Sequence, residues 1–361
     1  MTDSYNMDGH KLLWHLDRLD EFSKGVPIAP LHIDLGITTG CNMACTYCYG
    51  VIQKRTGYGT DYKNRFDMPK GDILRLLKDS KDVGVRSIAF VGEGDNTLNP
   101  ALWEALDYAK DINLDVSLAT NGIILPENKI DNMLEAVTWV RINLSAATGE
   151  SFQKIHNVSQ LDRVLLNIEN LVKSKKKNNL ETAIGLQMVV MDDNVPDIVP
   201  LAKLGSELGV DYFVIKACSD TNDHVLNSPE KHYYKYDEIF KEAETYSNDS
   251  YQVIVKWKKL QNQGQKDFDV CYGTQFILAI SGDGSVFPCG HWFNIEREKF
   301  LIGNITNNSF KELFQSDRYW EVQKLIQTVN VNKDCESNCR QYYINRTLQQ
   351  IKSPPKHLNF I

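Results

Sequence analysis

Residues 31–48 read LHIDLGITTGCNMACTYC, an apolar strand pattern that runs directly into a loop carrying Cys41, Cys45 and Cys48. Working outward, strand patterns recur at VRSIAFVG (85–92), LDVSLATN (114–121), TWVRINLS (138–145), TAIGLQMVVM (182–191) and DYFVIKA (211–217). Amphipathic stretches such as GDILRLLKDSKDVG and PALWEALDYAKD separate them. Strand then helix, repeated about six times, predicts a parallel sheet closed or nearly closed by right-handed crossovers. Chemistry in such α/β folds sits at the C-terminal ends of the strands, and the three cysteines follow the first strand on that face.

Seven of the eight cysteines fall into two sets, Cys41-x3-Cys45-x2-Cys48 and Cys271-x17-Cys289-x45-Cys335-x3-Cys339. Thiolates are soft ligands that select iron–sulfur clusters or zinc. A four-iron cube takes one ligand per iron, so three cysteines leave one iron open to bind and activate a small molecule. Four cysteines ligate a cube fully and suit a supporting site. Zinc is the alternative in both places. The front loop lacks the fourth ligand that zinc needs, since residues 30–60 add only His32, whereas a four-cysteine zinc site at the back would look the same in sequence.

A chain of 361 residues exceeds the size at which one hydrophobic core usually stops growing, so two domains are expected. With 42% hydrophobic and 24% charged residues the composition is ordinary, and no apolar run approaches the ~20 residues of a membrane span. The N-terminus, MTDSYNMDGHKLLWHLDRLDEF, shows no signal-peptide core, which predicts a cytoplasmic protein whose clustered thiols are metal or catalytic sites. A net charge of −7 gives no pull toward nucleic acid or membrane, leaving small molecules or peptides as partners. Residues 1–30 read as a helical extension, 31–220 as the strand–helix domain, and 221–265 as a polar bridge with a helix and a strand. From 266 to 361 the texture changes to a hairpin, FILAISGDGSVFPC, turning at Gly282-Asp283-Gly284, followed by two helices.

The CNMACTYC loop, with Tyr47 before its third cysteine, resembles that of the radical S-adenosylmethionine superfamily. The resemblance implies an α/β fold, a partial (β/α)6 TIM-like barrel, and a [4Fe-4S] cluster whose open iron holds S-adenosylmethionine. Reductive cleavage of that cofactor yields a 5'-deoxyadenosyl radical that abstracts hydrogen from an unactivated C–H bond. Further positions match in the family's order. Gly92-Glu93-Gly94-Asp95 stands where the family carries its glycine-rich segment after the second strand, with Asp95 and Asn96 in place of the usual Glu and Pro. Thr120-Asn121-Gly122 resembles the third-strand turn near the cofactor, and Asn143, Ser145 and Gln187 are implied to point polar groups at it. Each has a plainer reading, because a polar residue at a strand end can simply satisfy backbone groups. The second cysteine set resembles the auxiliary-cluster domains called SPASM and Twitch, and four cysteines suit one fully ligated [4Fe-4S] cluster in a small α+β Twitch-like domain.

Function is expected to start with hydrogen abstraction and end in oxidation or epimerisation. The spacing of the back set resembles that of the 2-deoxy-scyllo-inosamine dehydrogenase group, which points first to a small sugar or amino-sugar-like metabolite. The alternative is peptide modification, and a cluster-bearing redox carrier without a reaction of its own is the third reading. Cys218, just past the sixth strand, is either a small buried hydrophobe or a thiol that returns a hydrogen atom to a carbon radical, as radical epimerases of the family do. Lys216 is either a surface lysine or a group that holds a carboxylate or phosphate, or acts as a base. A flavodoxin- or ferredoxin-type electron donor is implied by the resemblance.

Overall fold

All the strand patterns named above enter one sheet. The computed structural model describes residues 5, 9–53, 59–229, 231–357 and 359. Its strands are β1 (His32–Leu35), β2 (Ser87–Phe90), β3 (Asp115–Thr120), β4 (Val137–Asn143), β5 (Ala183–Val190), β6 (Tyr212–Ala217), β7 (Gln252–Val255), β8 (Ile277–Ile280), β9 (Ser285–Phe287) and β10 (Gly303–Asn304). Their order is β10-β9-β8-β1-β2-β3-β4-β5-β6-β7. From β8 through β1 to β7 every pairing is parallel, while β8-β9 and β9-β10 are antiparallel.

Alternation decides which side chains face out. On β1, Ile33 and Leu35 are fully buried under the surrounding helices, while His32 and Asp34 point the other way. The helices answer with apolar stripes at helical spacing: Ile73, Leu76 and Leu77 on Lys70–Val83; Leu102, Ala105, Leu106 and Ala109 on Leu102–Asp111; Val164, Ile168 and Leu171 on Leu161–Asn178. Each such large side chain, fully removed from water, contributes ~1.5–3 kcal/mol. Asp34 on β1 and Lys216 on β6 line the same cavity although four strands lie between them in order, so the sheet curls into an incomplete barrel.

Two features differ from the organisation expected from the sequence. The strand within the 221–265 segment, β7, is a seventh parallel strand hydrogen-bonded along β6. The 277–287 hairpin is not set apart from the barrel either. β8 pairs with β1 from His32↔Ile277 to Leu35↔Ile280, and the main apolar core runs on through Val286, Phe287, Phe300 and Tyr319. Its turn has Gly284 at φ 86°, a left-handed conformation that glycine adopts without strain, closed by Gly284 N–H to Ser281 O at 2.9 Å. The described part of the N-terminal extension packs Leu12, Leu19 and Phe22 against Phe276 and Leu348, the latter on the helix Tyr342–Lys352.

Candidate functional site

The loop after β1 is held by backbone. Asn96 Oδ1 accepts from Ile37 N–H at 2.8 Å, and Asp95 N–H donates to Gly40 O at 2.8 Å. On its far side, Thr46 N–H donates to Ile155 O at 2.9 Å and Ala44 N–H to His156 O at 3.2 Å, at the end of the helix Gly149–His156. Cys41, Cys45 and Cys48 are thereby presented together to one cavity of about 450 Å³ at the C-terminal ends of the strands. Two side chains address their sulfurs: Asn121 Nδ2 stands 3.6 Å from Cys41 Sγ, and His156 Nδ1 3.1 Å from Cys45 Sγ. Ser145 N–H donates to His156 Nε2 at 3.2 Å, which makes Nε2 the acceptor. Burial pushes the imidazole pKa down to about 3, so the ring is neutral and its one proton sits on Nδ1, aimed at the Cys45 sulfur.

Glycines bring three backbones together beneath this loop. A Cβ at Gly94 would run into the carbonyl oxygens of Thr38 and Gly40, and one at Gly282 into the carbonyl of Thr38. Gly92 lines the cavity beside them. Asp95 is the hub of the same region. Its Oδ1 accepts from Thr97 N–H and Oγ1–H at 3.1 and 2.7 Å, and its Oδ2 from Asn121 N–H at 2.7 Å, while Thr120 Oγ1 reaches both. At 4% exposure, this carboxylate fixes the strand ends with protein donors. The Glu93 carboxyl accepts from Ser281 Oγ–H and Gly282 N–H and is pushed to higher pKa by burial, tying β2 to the hairpin turn.

Among the other residues singled out from sequence, Tyr47, Asn121, Asn143, Gln187 and Lys216 line the cavity, and Ser145 and Cys218 do not. Gln187 Nε2–H donates to Asn143 Oδ1 at 2.7 Å and Arg141 Nη1–H donates to Gln187 Oε1 at 3.3 Å, a polar chain across β4 and β5. Ser145 is fully buried because its Oγ accepts from Val189 N–H at 3.1 Å, holding the β4 end to β5. Cys218 lies one residue beyond β6, where strand alternation has ended. Its thiol packs with Ile52, Val189, Met191 and Leu226 at 1% exposure and stands 3.9 Å from the carbonyl of Tyr47, whose residue lines the cavity.

The back set is built differently. Cys271, Cys335 and Cys339 lie among Phe268, Val331 and Tyr342, and of the four only Cys289 reaches the cavity. Asn345 Nδ2 stands 3.5 Å from Cys271 Sγ. Burial, then the neighbouring Cys339 sulfur, pushes the Cys271 thiol up to about 12, and Cys335 and Cys339 are raised first by burial as well. Such thiols stay protonated until a metal compensates their charge. All eight cysteines are free thiols. Among the described residues no three His, Cys, Asp or Glu side chains converge as a single ion would require, which is the arrangement of a zinc site with ~2.3 Å bonds to sulfur. The donor chemistry, two sets made up of soft thiols, suits iron–sulfur groups.

Sequence reasoning missed several residues. Arg141 shares the inward face of β4 with Asn143, two positions on, and could have been found by carrying the alternation back. Arg340 reaches Asp34 on β1, with Nε 3.1 Å from Oδ2, and that guanidinium with His32 holds the Asp34 carboxyl well below its usual range against burial. Glu336 and Lys259 also line the wall, and Lys259 Nζ–H donates to Cys339 O at 2.8 Å. For His156, Lys259 and Arg340, no local pattern marks the role.

A parallel barrel that presents three thiols at its strand ends, with four more beside it, defines an iron–sulfur enzyme of the radical type. The radical SAM superfamily matches residues 35–204, and the SPASM iron–sulfur cluster-binding domain matches residues 271–341. The chain belongs to the radical SAM superfamily and carries a C-terminal SPASM/Twitch-type domain; it is an enzyme, and its cofactors are S-adenosylmethionine and iron–sulfur clusters. It is 23% identical over 315 residues to a tungsten-containing aldehyde ferredoxin oxidoreductase cofactor-modifying protein of Pyrococcus furiosus, covering 80% of this chain and 82% of the relative. Its fold is similar to Streptococcus suis SuiB bound to precursor peptide SuiA (TM-score 0.65, 14% identity, 91% of this chain and 74% of that one). It is also similar to anSMEcpe with bound AdoMet and the Cp18Cys peptide (TM-score 0.57, 19% identity, 90% and 96%). No described helix is long and apolar enough to cross a membrane.

Proposed function

We propose that this enzyme modifies a peptide or protein segment by radical oxidation at carbon. The observation that carries the reading is one cavity that touches both thiol sets: Cys41, Cys45 and Cys48 on one wall and Cys289 on another. A substrate carbon between them can lose hydrogen on the front side and an electron toward the back. Similar folds hold peptides, which favours a peptide over the sugar-like metabolite expected from the cysteine spacing. Cys218 is buried and does not itself line the cavity, and on that ground oxidation is preferred to epimerisation.

In this reading Cys41, Cys45 and Cys48 hold the front [4Fe-4S] cluster, and Cys271, Cys289, Cys335 and Cys339 hold a second. Bound there, the front cluster with S-adenosylmethionine would supply hydrogen-abstracting radical chemistry, and the second cluster would supply a one-electron acceptor. The chain's own residues orient and enclose. Gly92 and Gly94 keep the β2 end close to the cofactor, Asn121, Asn143 and Gln187 offer polar groups from successive strands, and Tyr47 closes the loop side. Glu336, beside Cys335, is the carboxylate placed to take the proton as the substrate carbon loses its electron. The domain limits expected from sequence are kept as functional units, with the hairpin shared between them. A flavodoxin or ferredoxin supplies electrons.

Anaerobic reconstitution with iron and sulfide, followed by S-adenosylmethionine and dithionite, tests this directly. Peptides that raise 5'-deoxyadenosine formation and emerge two hydrogens lighter by mass spectrometry support it. A response to amino sugars or polyols, with none to peptides, refutes the peptide reading; solvent deuterium at a carbon of unchanged formula refutes oxidation.

A further inference from the structure

Cationic groups gather on one flank of the cavity, away from the glycine-rich strand end. Lys216, on the inner face of β6, pairs in register with Val189, two residues beyond Gln187↔Val214. Arg141 reaches the same space from β4, its guanidinium 4.8 Å above the Trp139 ring and hydrogen-bonded to Tyr212 OH and Gln187. Lys259 enters from the segment after β7. The groups feel each other: burial first, then Arg141 among the charged neighbours, pushes the Lys216 ammonium down to about 8.

Counter-charge is short on this flank. Among the described residues Arg340 has Asp34, and Asp95 and Glu93 are taken up by donors at the other end. Arg141 has neutral partners and Lys259 a carbonyl, Lys216 makes no hydrogen bond or ion pair, and the carboxylate that remains is Glu336. Partly buried like charges oppose folding through repulsion and desolvation, so three of them around an open volume mark a place where a ligand's negative charge completes the balance.

We infer that Arg141, Lys216 and Lys259 form an anion subsite that grips a carboxylate of the substrate, an acidic side chain or a C-terminus, and so sets which neighbouring carbon meets the front loop. The inference rests on the peptide reading only for what carries the carboxylate. The methionyl carboxylate of S-adenosylmethionine offers the same chemistry, and the test separates the two sources.

The test uses the reconstituted full-length enzyme, Lys216→Met and Lys216→Arg. Calorimetry with glutarate and with its uncharged diamide addresses the subsite alone. Glutarate is expected to bind at least tenfold more tightly than the diamide, to lose that preference in Lys216→Met, and to regain most of it in Lys216→Arg. Equal binding of the two probes overturns the subsite. Affinity for S-adenosylmethionine is expected to stay within twofold in Lys216→Met; a tenfold fall, with glutarate competing against S-adenosylmethionine, assigns the cations to the cofactor and overturns the inference. Pooled peptides containing Asp and Glu, or Asn and Gln in their place, address the peptide reading. Stronger stimulation of 5'-deoxyadenosine formation by the acidic pool supports both ideas. Equal stimulation rejects the subsite while keeping the peptide. No stimulation by either pool, with the glutarate preference intact, rejects the peptide while keeping the subsite.

Discussion

The two thiol sets of this chain are presented in different ways. The front three lie within eight residues on one loop, pinned by backbone hydrogen bonds to Asp95, Ile155 and His156, and all three face the cavity. The back four come from segments spread over residues 271–339, lie among aromatic and aliphatic side chains, and reach the cavity through Cys289 alone. A short loop cannot surround a cluster, so one side stays open to a ligand. Ligands from several segments can close around one, and the apolar shell then limits its role to exchanging electrons.

The largest expected effects break the two apart. Cys45→Ala should abolish 5'-deoxyadenosine formation, a loss of more than about a thousandfold or ~4 kcal/mol of barrier, and lower bound iron by the content of one cluster. Cys339→Ala should lower iron similarly, yet retain measurable cofactor cleavage while modified product disappears. Iron and sulfide analysis with chromatography of both products checks this. Full cofactor cleavage in Cys45→Ala, or full product formation in Cys339→Ala, would erase the division of labour.

The next effect is on stability, and it sharpens the contrast in how the sites are held. Gly94→Ala and Gly282→Ala each put a methyl group against the backbone of the front loop. Each should cost ~1–3 kcal/mol in chemical denaturation and weaken S-adenosylmethionine binding, with the back cluster retained. Gly71→Ala is the control, since its added methyl meets nothing within 4 Å in the first turn of the helix Lys70–Val83. It should be neutral or stabilising by ~0.5–1 kcal/mol.

The front site was far more legible in the sequence than the back or the walls. Its strand, loop and cysteines are contiguous, and period-two alternation already places Lys216 on the same face as Val214 and Tyr212. What the sequence leaves open depends on distance or on the end of a pattern. Pairing of β8 with β1 joins residues about 240 positions apart and leaves no local trace, so the hairpin read as a separate unit. Cys218 and Ser145 lie just past their strands, where alternation no longer says which way a side chain points. Asp95 stands in a motif, but its environment of Thr97, Thr120 and Asn121 donors exists only once β2 and β3 are side by side.

The smallest effect concerns the sulfur hydrogen bonds, one feature the two sites share. His156 Nδ1–H addresses Cys45, and Asn345 Nδ2–H addresses Cys271. A donor to a ligating sulfur favours the reduced, more negative state of a cluster and raises its potential. Removing a hydrogen bond worth ~1 kcal/mol in that state corresponds to about 40 mV for one electron. His156→Phe should therefore lower the front potential by about that amount and leave the back one unmoved, and Asn345→Leu should do the reverse, as read by redox titration with electron paramagnetic resonance. A shift of the front potential in Asn345→Leu equal to that in His156→Phe would mean that the two sites are not electrostatically separate, and the difference between an open working site and an enclosed relay would have to be sought in ligand access alone.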